Sequence, residues 1–403
     1  MKRLWRNKVM RKNFFRGLTS NVFILGLVSL LTDLSSQMVF PLIPLFLTSV
    51  LSAGAYAVGI VEGAAETTAS LLKVVSGYWS DKIKKRKLFV LLGYSLSSIT
   101  KPLFALTYTW PLVLFIRIVE RIGKGLRTAP RDAIVAESCE KNARGKAYGL
   151  QRAMDGIGSI SGAVLAFLLL PSLGYRNIFL IAFIPAIIAV FVILFVKEKR
   201  EPSKEVRKMS LKVSFRELPL NLKLFIIASS VFALGHFGYA FLLLRAKDVG
   251  LADNMTILMY VLFYIVYTLF IIPAGILSDR IGRKPVLAMG YLMFAITSLG
   301  LIYASDLHTI LLFFFLYGIF YAMVDAVQRA FVADLAPKHL KGTALGTFHT
   351  AVGLMALPGR YIAGMLWDKI SPEATFVYGF LLAMVSLIVF IFVKGDKKFE
   401  EDN

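Results

Sequence analysis

One cysteine, Cys139, stands in 403 residues, so no intramolecular disulfide framework holds this chain. Acidic residues are scarce too: 25 Asp and Glu against 46 Lys and Arg, a formal net charge of +21. No set of His, Cys, Asp or Glu has the spacing of a metal site, so no metal or other cofactor is expected. The short alternating strands of a closed barrel are missing. What remains is apolar. Hydrophobic residues make up 57% of the chain and charged ones 18%, beyond the range of ordinary soluble domains.

Apolar runs of about 20 residues, the length a helix needs to cross a bilayer, recur twelve times. Their cores are 20–46, 56–79, 88–108, 111–136, 147–171, 174–196, 221–244, 256–278, 286–304, 310–333, 343–368 and 374–393. The expected fold class is therefore an all-α membrane protein with twelve transmembrane helices. Met1 to Leu18 is basic but lacks the apolar run and small-residue site of a cleaved signal, so it is read as leading into the first span.

The location of the basic residues explains the charge. Segments on the side of the N-terminus carry 32 of the 46 Lys and Arg, and the opposite loops carry only Arg176, Arg245, Lys247 and Lys369. This is the positive-inside bias of a multi-pass protein in the cell membrane with both termini cytoplasmic. A nucleic-acid partner is not expected, because no compact basic domain exists to bind one.

Ten bases and seven acids fall within the spans, and each is costly there unless it faces a partner or a wet cavity. Span 4 is the densest. Arg117, Glu120, Arg121, Lys124, Arg127, Arg131 and Asp132 fall within an arc of roughly 140° on a helix, opposite Phe115, Val119, Ile122 and Leu126. That face is expected to line an interior. Gly123-Lys124-Gly125 lacks the spacing and the preceding strand of a phosphate loop.

Other spans add fewer charges. Span 1 places Asp33 near its middle, ahead of Ser35, Ser36 and Gln37, which are able to satisfy it, and of Pro41 and Pro44, which loosen the helix. Span 2 aligns Glu62, Glu66 and Lys73 on one face. Span 5 offers Arg152 and Asp155 three residues apart, as an ion pair or as cavity groups, with Gly156, Gly158 and Gly162 for close helix approach. The later spans contribute Asp325, Arg329 and Arg360, together with His236, read as a packed polar residue, and His349.

The chain also repeats itself. Gly77 to Lys87 closes span 2 with Asp81 ahead of five basic residues, and its twin Gly275 to Lys284 closes span 8 at an offset of 198. A second match, Ala143–Gly149 with Leu340–Gly346, has an offset of 197. Two six-helix units follow, at 1–197 and 220–403, joined by a cytoplasmic linker at 198–219 that is too short for a soluble domain.

The second turn, G-x-x-x-D-R-x-G-R-K, resembles the cytoplasmic signature between the second and third helices of each half in the major facilitator superfamily. Gly275, Asp279, Arg280, Gly282, Arg283 and Lys284 carry it, and Gly77, Asp81, Lys82, Lys85 and Arg86 match in the first copy, where Lys84 replaces the second glycine. The resemblance implies the twelve-helix fold of two pseudo-symmetric bundles, with these turns as a latch on one access state. Physically, a glycine there permits close helix approach and the aspartate caps a helix or pairs with bases across the halves. Arg117 followed by Gly123 resembles a span-4 pattern linked to proton coupling in that superfamily, with Arg121 standing where a glycine is usual. The denser charge run is similar to a prokaryotic branch of it. The Gly-Pro pair frequent in span 5 of its antiporters is absent.

These readings converge on a secondary active transporter working by alternating access on a small organic solute, anionic or zwitterionic because bases exceed acids in the spans. Protons are the expected coupling ion, through Asp33 or Glu66. Membrane lipids are the other expected partner, and a monomer the expected state. The alternatives are proton-linked efflux of drugs or amphiphiles and a lipid-moving protein. An enzyme is not expected, since no catalytic constellation is visible, and a receptor lacks its soluble signalling domain.

Overall fold

A computed structural model describes residues 17–83, 85–140, 143–198, 215–337 and 339–395. The Asp81 side chain, Lys84 and linker residues 199–214 lie outside that set. Among the described residues, eight helical stretches are long and apolar enough to cross a membrane. One of them, 144–193, contains two passes, because Gly174 at φ 69° turns the chain between spans 5 and 6. Three further helices, Ala55–Ile83, Trp110–Glu137 and Lys341–Lys369, are as long but more polar. Together they make the twelve transmembrane helices.

Two spans are interrupted. Span 1 runs as Ser20–Val39, breaks at Pro41, and resumes as Leu42–Leu45 and a π-helical turn over Phe46–Val50. Span 7, expected at 221–244, is Leu220–Gly235 and Tyr239–Asp248, separated where His236 leaves the helical region and Gly238 adopts φ 84°. The other spans are Arg86–Ala105, Asp253–Ile281, Arg283–Ile302, Leu307–Leu335 and Pro372–Ile391.

Packing repeats with the sequence. Span 1 packs on spans 5 and 6, and span 4 on spans 2 and 3; six spans later, 7 packs on 11 and 12, and 10 on 8 and 9. The halves meet along two equivalent seams, span 2 with span 11 and span 8 with span 5. Gly162 of span 5 and its repeat partner Gly359 of span 11 show why small residues recur. A Cβ at either would overlap a backbone carbonyl oxygen, of Leu34 and Leu234 respectively, so only glycine lets these helices come so close. The ends of spans 3 and 9 are capped alike by arginines: Arg176 donates to the carbonyls of Ala105 and Thr107, and Arg245 to those of Leu301, Ile302 and Ala304.

The two faces of the bundle differ. One bears the Gly77 and Gly275 turns and is called the motif face; the other is the far face. Toward the far face a single apolar cluster runs through both halves, from Met38, Phe46 and Phe179 to Phe241, Tyr260 and Phe294. Toward the motif face it gives way to two separate clusters, one around Val22, Tyr94 and Ile193 and the other around Phe225, Phe331 and Phe390. The halves are fused at the far face and parted at the motif face.

Candidate functional site

The gap between the parted halves is a cavity of about 430 Å³. Its lining residues on span 4 all fall in 121–132, and those on span 10 in 320–329, so it occupies the motif half of the bundle. Eight bases line it (Lys73, Arg121, Lys124, Arg127, Arg131, Arg152, Arg329 and Arg360), against the acids Asp33, Glu66, Asp132, Asp155 and Asp325.

Few of these charges cancel in pairs. Arg131 bonds Asp132 at 2.9 Å, and Arg329 approaches Asp325 at 3.4 Å. Arg127 stacks 4.4 Å from the Tyr94 ring and donates to Ser97 Oγ at 2.5 Å. Among the described residues, Lys73, Lys124, Arg152 and Arg360 have no carboxylate within ion-pair distance, and neither Asp33, Glu66 nor Asp155 has a basic group there. Glu66 and Lys124 are exposed to the cavity. The Arg152–Asp155 pair that the spacing permits does not form; Asp155 lies within electrostatic reach of Asp33, and its Oδ1 is buried without a hydrogen-bond partner.

The neighbours of Asp33 are committed elsewhere. Ser35 donates to the carbonyl of Ala182, Ser36 accepts from Lys101, and Gln37 joins Tyr264 and Tyr260 of span 8 at 2.6 and 2.8 Å. Asp33 is left to the cavity.

Span 4 divides its charges. Lys124, Arg121, Arg127, Arg131 and Asp132 line the cavity as expected, whereas Arg117 and Glu120 are fully buried behind it. Arg117 meets Glu62 at 3.1 Å and Glu120 at 3.2 Å, and Arg121 approaches Glu120 at 3.3 Å. Glu62, expected on one face with Glu66 and Lys73, is therefore drawn into this network while the other two reach the cavity. Lys101 of span 3, also fully buried, donates to Ser36 Oγ at 2.9 Å. The cations of Lys101, Arg117 and Arg121 lie 4.7, 3.9 and 4.8 Å from the ring of Phe40. Sequence reading counted Lys101 among the bases but did not single it out; a lysine in the middle of an apolar span is the signal.

The far face is closed by bonds between the halves. Asp368 accepts from the backbone N–H groups of Ala55 and Tyr56 at 2.9 and 2.8 Å, capping span 2 from the opposite half. Arg360 donates to the Glu62 carbonyl at 2.6 Å, and Tyr239 to the Glu62 carboxylate at 3.3 Å. Lys247 bonds Ser49, and Tyr175 bonds Asp253. None of these partners is close in sequence, and two of the donors are backbone groups, so no local pattern announces them.

The motif residues pair within their own halves. Asp279 bonds Arg283 at 3.2 Å, Arg283 also bonds Asp334, and Arg86 bonds Glu137. Lys284 donates to the Ile391 carbonyl at 3.0 Å, while Lys82, Lys85 and Arg280 are exposed. Close helix approach does not explain the glycines here. A Cβ at Gly275 would meet nothing within 4 Å, and one at Gly77 would make only ordinary contact with Ala129. Gly282 has a different reason, its φ of 94° at the junction of spans 8 and 9.

Among the described residues, no group of three or more His, Cys, Asp or Glu is placed to hold a metal ion. The model of the Major Facilitator Superfamily matches residues 25–244 and 224–403, which is nearly the whole chain. The chain belongs to that superfamily. An uncharacterized MFS-type transporter of Methanocaldococcus jannaschii is 45% identical over 386 residues, covering 94% of this chain and 96% of that one. A cis,cis-muconate transport protein of Acinetobacter baylyi is 24% identical over 80% of this chain and 78% of its own length. The fold matches the crystal structure of a mutant of the nucleoside transporter NupG, with a TM-score of 0.77, 16% identity and coverage of 93% and 100%. As a superfamily member the chain is a secondary transporter, and halves parted around a cavity that opens toward one face are an arrangement that alternating access requires.

Proposed function

We propose that this transporter moves a small organic anion, or a zwitterion with an anionic end, coupled to protons. The observation that carries the reading is the excess of cavity bases over acids, with Lys124 exposed and Arg360 without a carboxylate in ion-pair distance among the described residues. Glu62, Glu120 and Asp132 neutralise Arg117, Arg121 and Arg131, and the surplus survives that pairing. Guanidinium and ammonium groups in a low-dielectric cavity favour carboxylate or phosphate oxygens and disfavour cationic amphiphiles. The similarity to a cis,cis-muconate transport protein supports the same class.

The substrate sits at the inner end of the cavity, near Arg121, Lys124 and Arg360, with Glu66 among them. Asp33 and Glu66 face the cavity without a basic partner within ion-pair distance among the described residues, which suits them to gain and lose a proton as access changes sides. With the positive-inside bias, the motif face and both termini lie in the cytoplasm, the membrane is the cell membrane, and the structure is the inward-facing state. Residues 1–197 and 220–403 rock about the site, joined by 198–219.

Uptake of a labelled organic anion into proteoliposomes under an imposed pH gradient tests this. Wild-type protein is expected to accumulate the anion, and either Asp33→Asn or Glu66→Gln to abolish gradient-driven accumulation. Unchanged accumulation in both variants would remove proton coupling through these carboxylates.

A further inference from the structure

The cavity is chemically two-sided. Of its thirteen charged residues, ten belong to spans 1, 2, 4 and 5 of the first half. The wall from the second half carries Phe232, Phe320, Tyr321 and Phe348 with Val324 and Val352, and only Asp325, Arg329 and Arg360 bear charge. Tyr321 stands out among its aromatics. It is 37% exposed, it makes no hydrogen bond among the described residues, and it lies within electrostatic reach of Glu66 and Arg360. Tyr267 at 5.3 Å and Phe263 at 5.6 Å meet it edge to face, Phe320, Tyr317 and His236 lie 6.2, 6.3 and 6.5 Å away, and His236 Nε2 is held to Tyr317 OH at 2.8 Å, so the ring belongs to an aromatic layer of the second half. Arg360 completes the corner with a second flat group, whose Nε is buried without a hydrogen-bond partner.

Resting on the anion reading above, we infer that the substrate is an anion with a flat, aromatic or conjugated body, its ring plane on Tyr321 and its oxyanion toward Lys124 and Arg360. A saturated chain of the same charge would use the bases equally well but would forgo the offset-stacked contact with the phenol ring. That contact is expected to be worth roughly two- to tenfold in affinity. The hydroxyl of Tyr321 is not needed for it.

The test uses the purified full chain in detergent and four probes: benzoate, cyclohexanecarboxylate, hexanoate and the neutral benzamide. The concentration that gives half the maximal rise in thermal midpoint is measured for each. Benzoate is expected to act at roughly two- to tenfold lower concentration than the two saturated carboxylates. Benzamide is expected to have little effect. Tyr321→Phe is expected to keep the benzoate advantage and Tyr321→Leu to erase it while leaving hexanoate unchanged, a pattern that a general loss of folding would not give. Equal action of all three carboxylates, or equal loss of all three in Tyr321→Leu, would overturn the flat-body inference and leave the anion reading standing. Stabilisation by benzamide and none by the carboxylates would overturn the anion reading itself.

Discussion

Arg360 donates from Nη1 to the carbonyl oxygen of Glu62 at 2.6 Å, tying span 11 to span 2 across the interface of the halves. Its Nε lies against Gly238, at the break in span 7, where a Cβ would come within 3.1 Å. One side chain thus closes the floor of the cavity and supplies a base to it. Removing a charged hydrogen-bonding partner costs about 1.5–3 kcal/mol, so Arg360→Ala is expected to weaken carboxylate binding roughly ten- to a hundredfold. Arg360→Lys keeps the charge but loses the flat fork, and is expected to restore only part of that affinity. The ligand dependence of the thermal midpoint measures both.

Asp368 caps span 2 from span 11, so its contact joins the two halves in the state with the far face closed. Losing such a cap costs about 0.5–2 kcal/mol, which raises the population of the far-face-open state by up to roughly thirtyfold. The sole cysteine makes the assay simple: Val58→Cys in a Cys139→Ser background places a thiol at a fully buried far-face position. Asp368→Ala is expected to speed its labelling by maleimide in detergent. No change in rate would take Asp368 out of the closure.

The buried network predicts opposite outcomes for two substitutions of nearly equal size. Glu120→Gln takes the carboxylate from buried Arg121 and leaves Arg117 with Glu62 alone, at a cost of about 3–5 kcal/mol. Lys101→Met removes a cation that, among the described residues, has a hydroxyl and a ring for partners and no carboxylate within ion-pair distance, so the thermal midpoint is expected to hold or rise. Equal destabilisation by both would contradict this charge balance.

Asp279 is largely exposed and pairs with Arg283 one turn away, a contact worth about 0–1 kcal/mol. Asp279→Ala is therefore expected to leave the thermal midpoint unchanged. If the aspartate takes a partner across the halves in the other access state, uptake slows while apparent affinity stays constant. A large loss of affinity without slowing would count against a latch.

The fold was legible because bilayer thickness fixes span length and because the repeat survives in the Gly77 and Gly275 turns and in the match of Ala143–Gly149 with Leu340–Gly346. The charged face of span 4 was legible from helical periodicity. Its division was not, because which charges turn toward water depends on neighbours far along the chain: Glu62 draws Arg117 inward, and no group draws Lys124. The far-face closure was hidden for a similar reason, since Asp368 bonds backbone groups more than 300 residues away. The break in span 7 was the nearer miss, with Gly235 and Gly238 bracketing His236 in plain view.

The central claim is that unpaired cavity bases bind an organic anion. Its most direct test is the thermal midpoint of the purified protein against organic anions, amino acids, sugars and cationic drugs, in wild type and Lys124→Ala. The account predicts that anions raise the wild-type midpoint by mass action and that Lys124→Ala abolishes the rise without lowering the ligand-free midpoint. A midpoint raised by cationic or neutral amphiphiles alone, and untouched by Lys124→Ala, would contradict it.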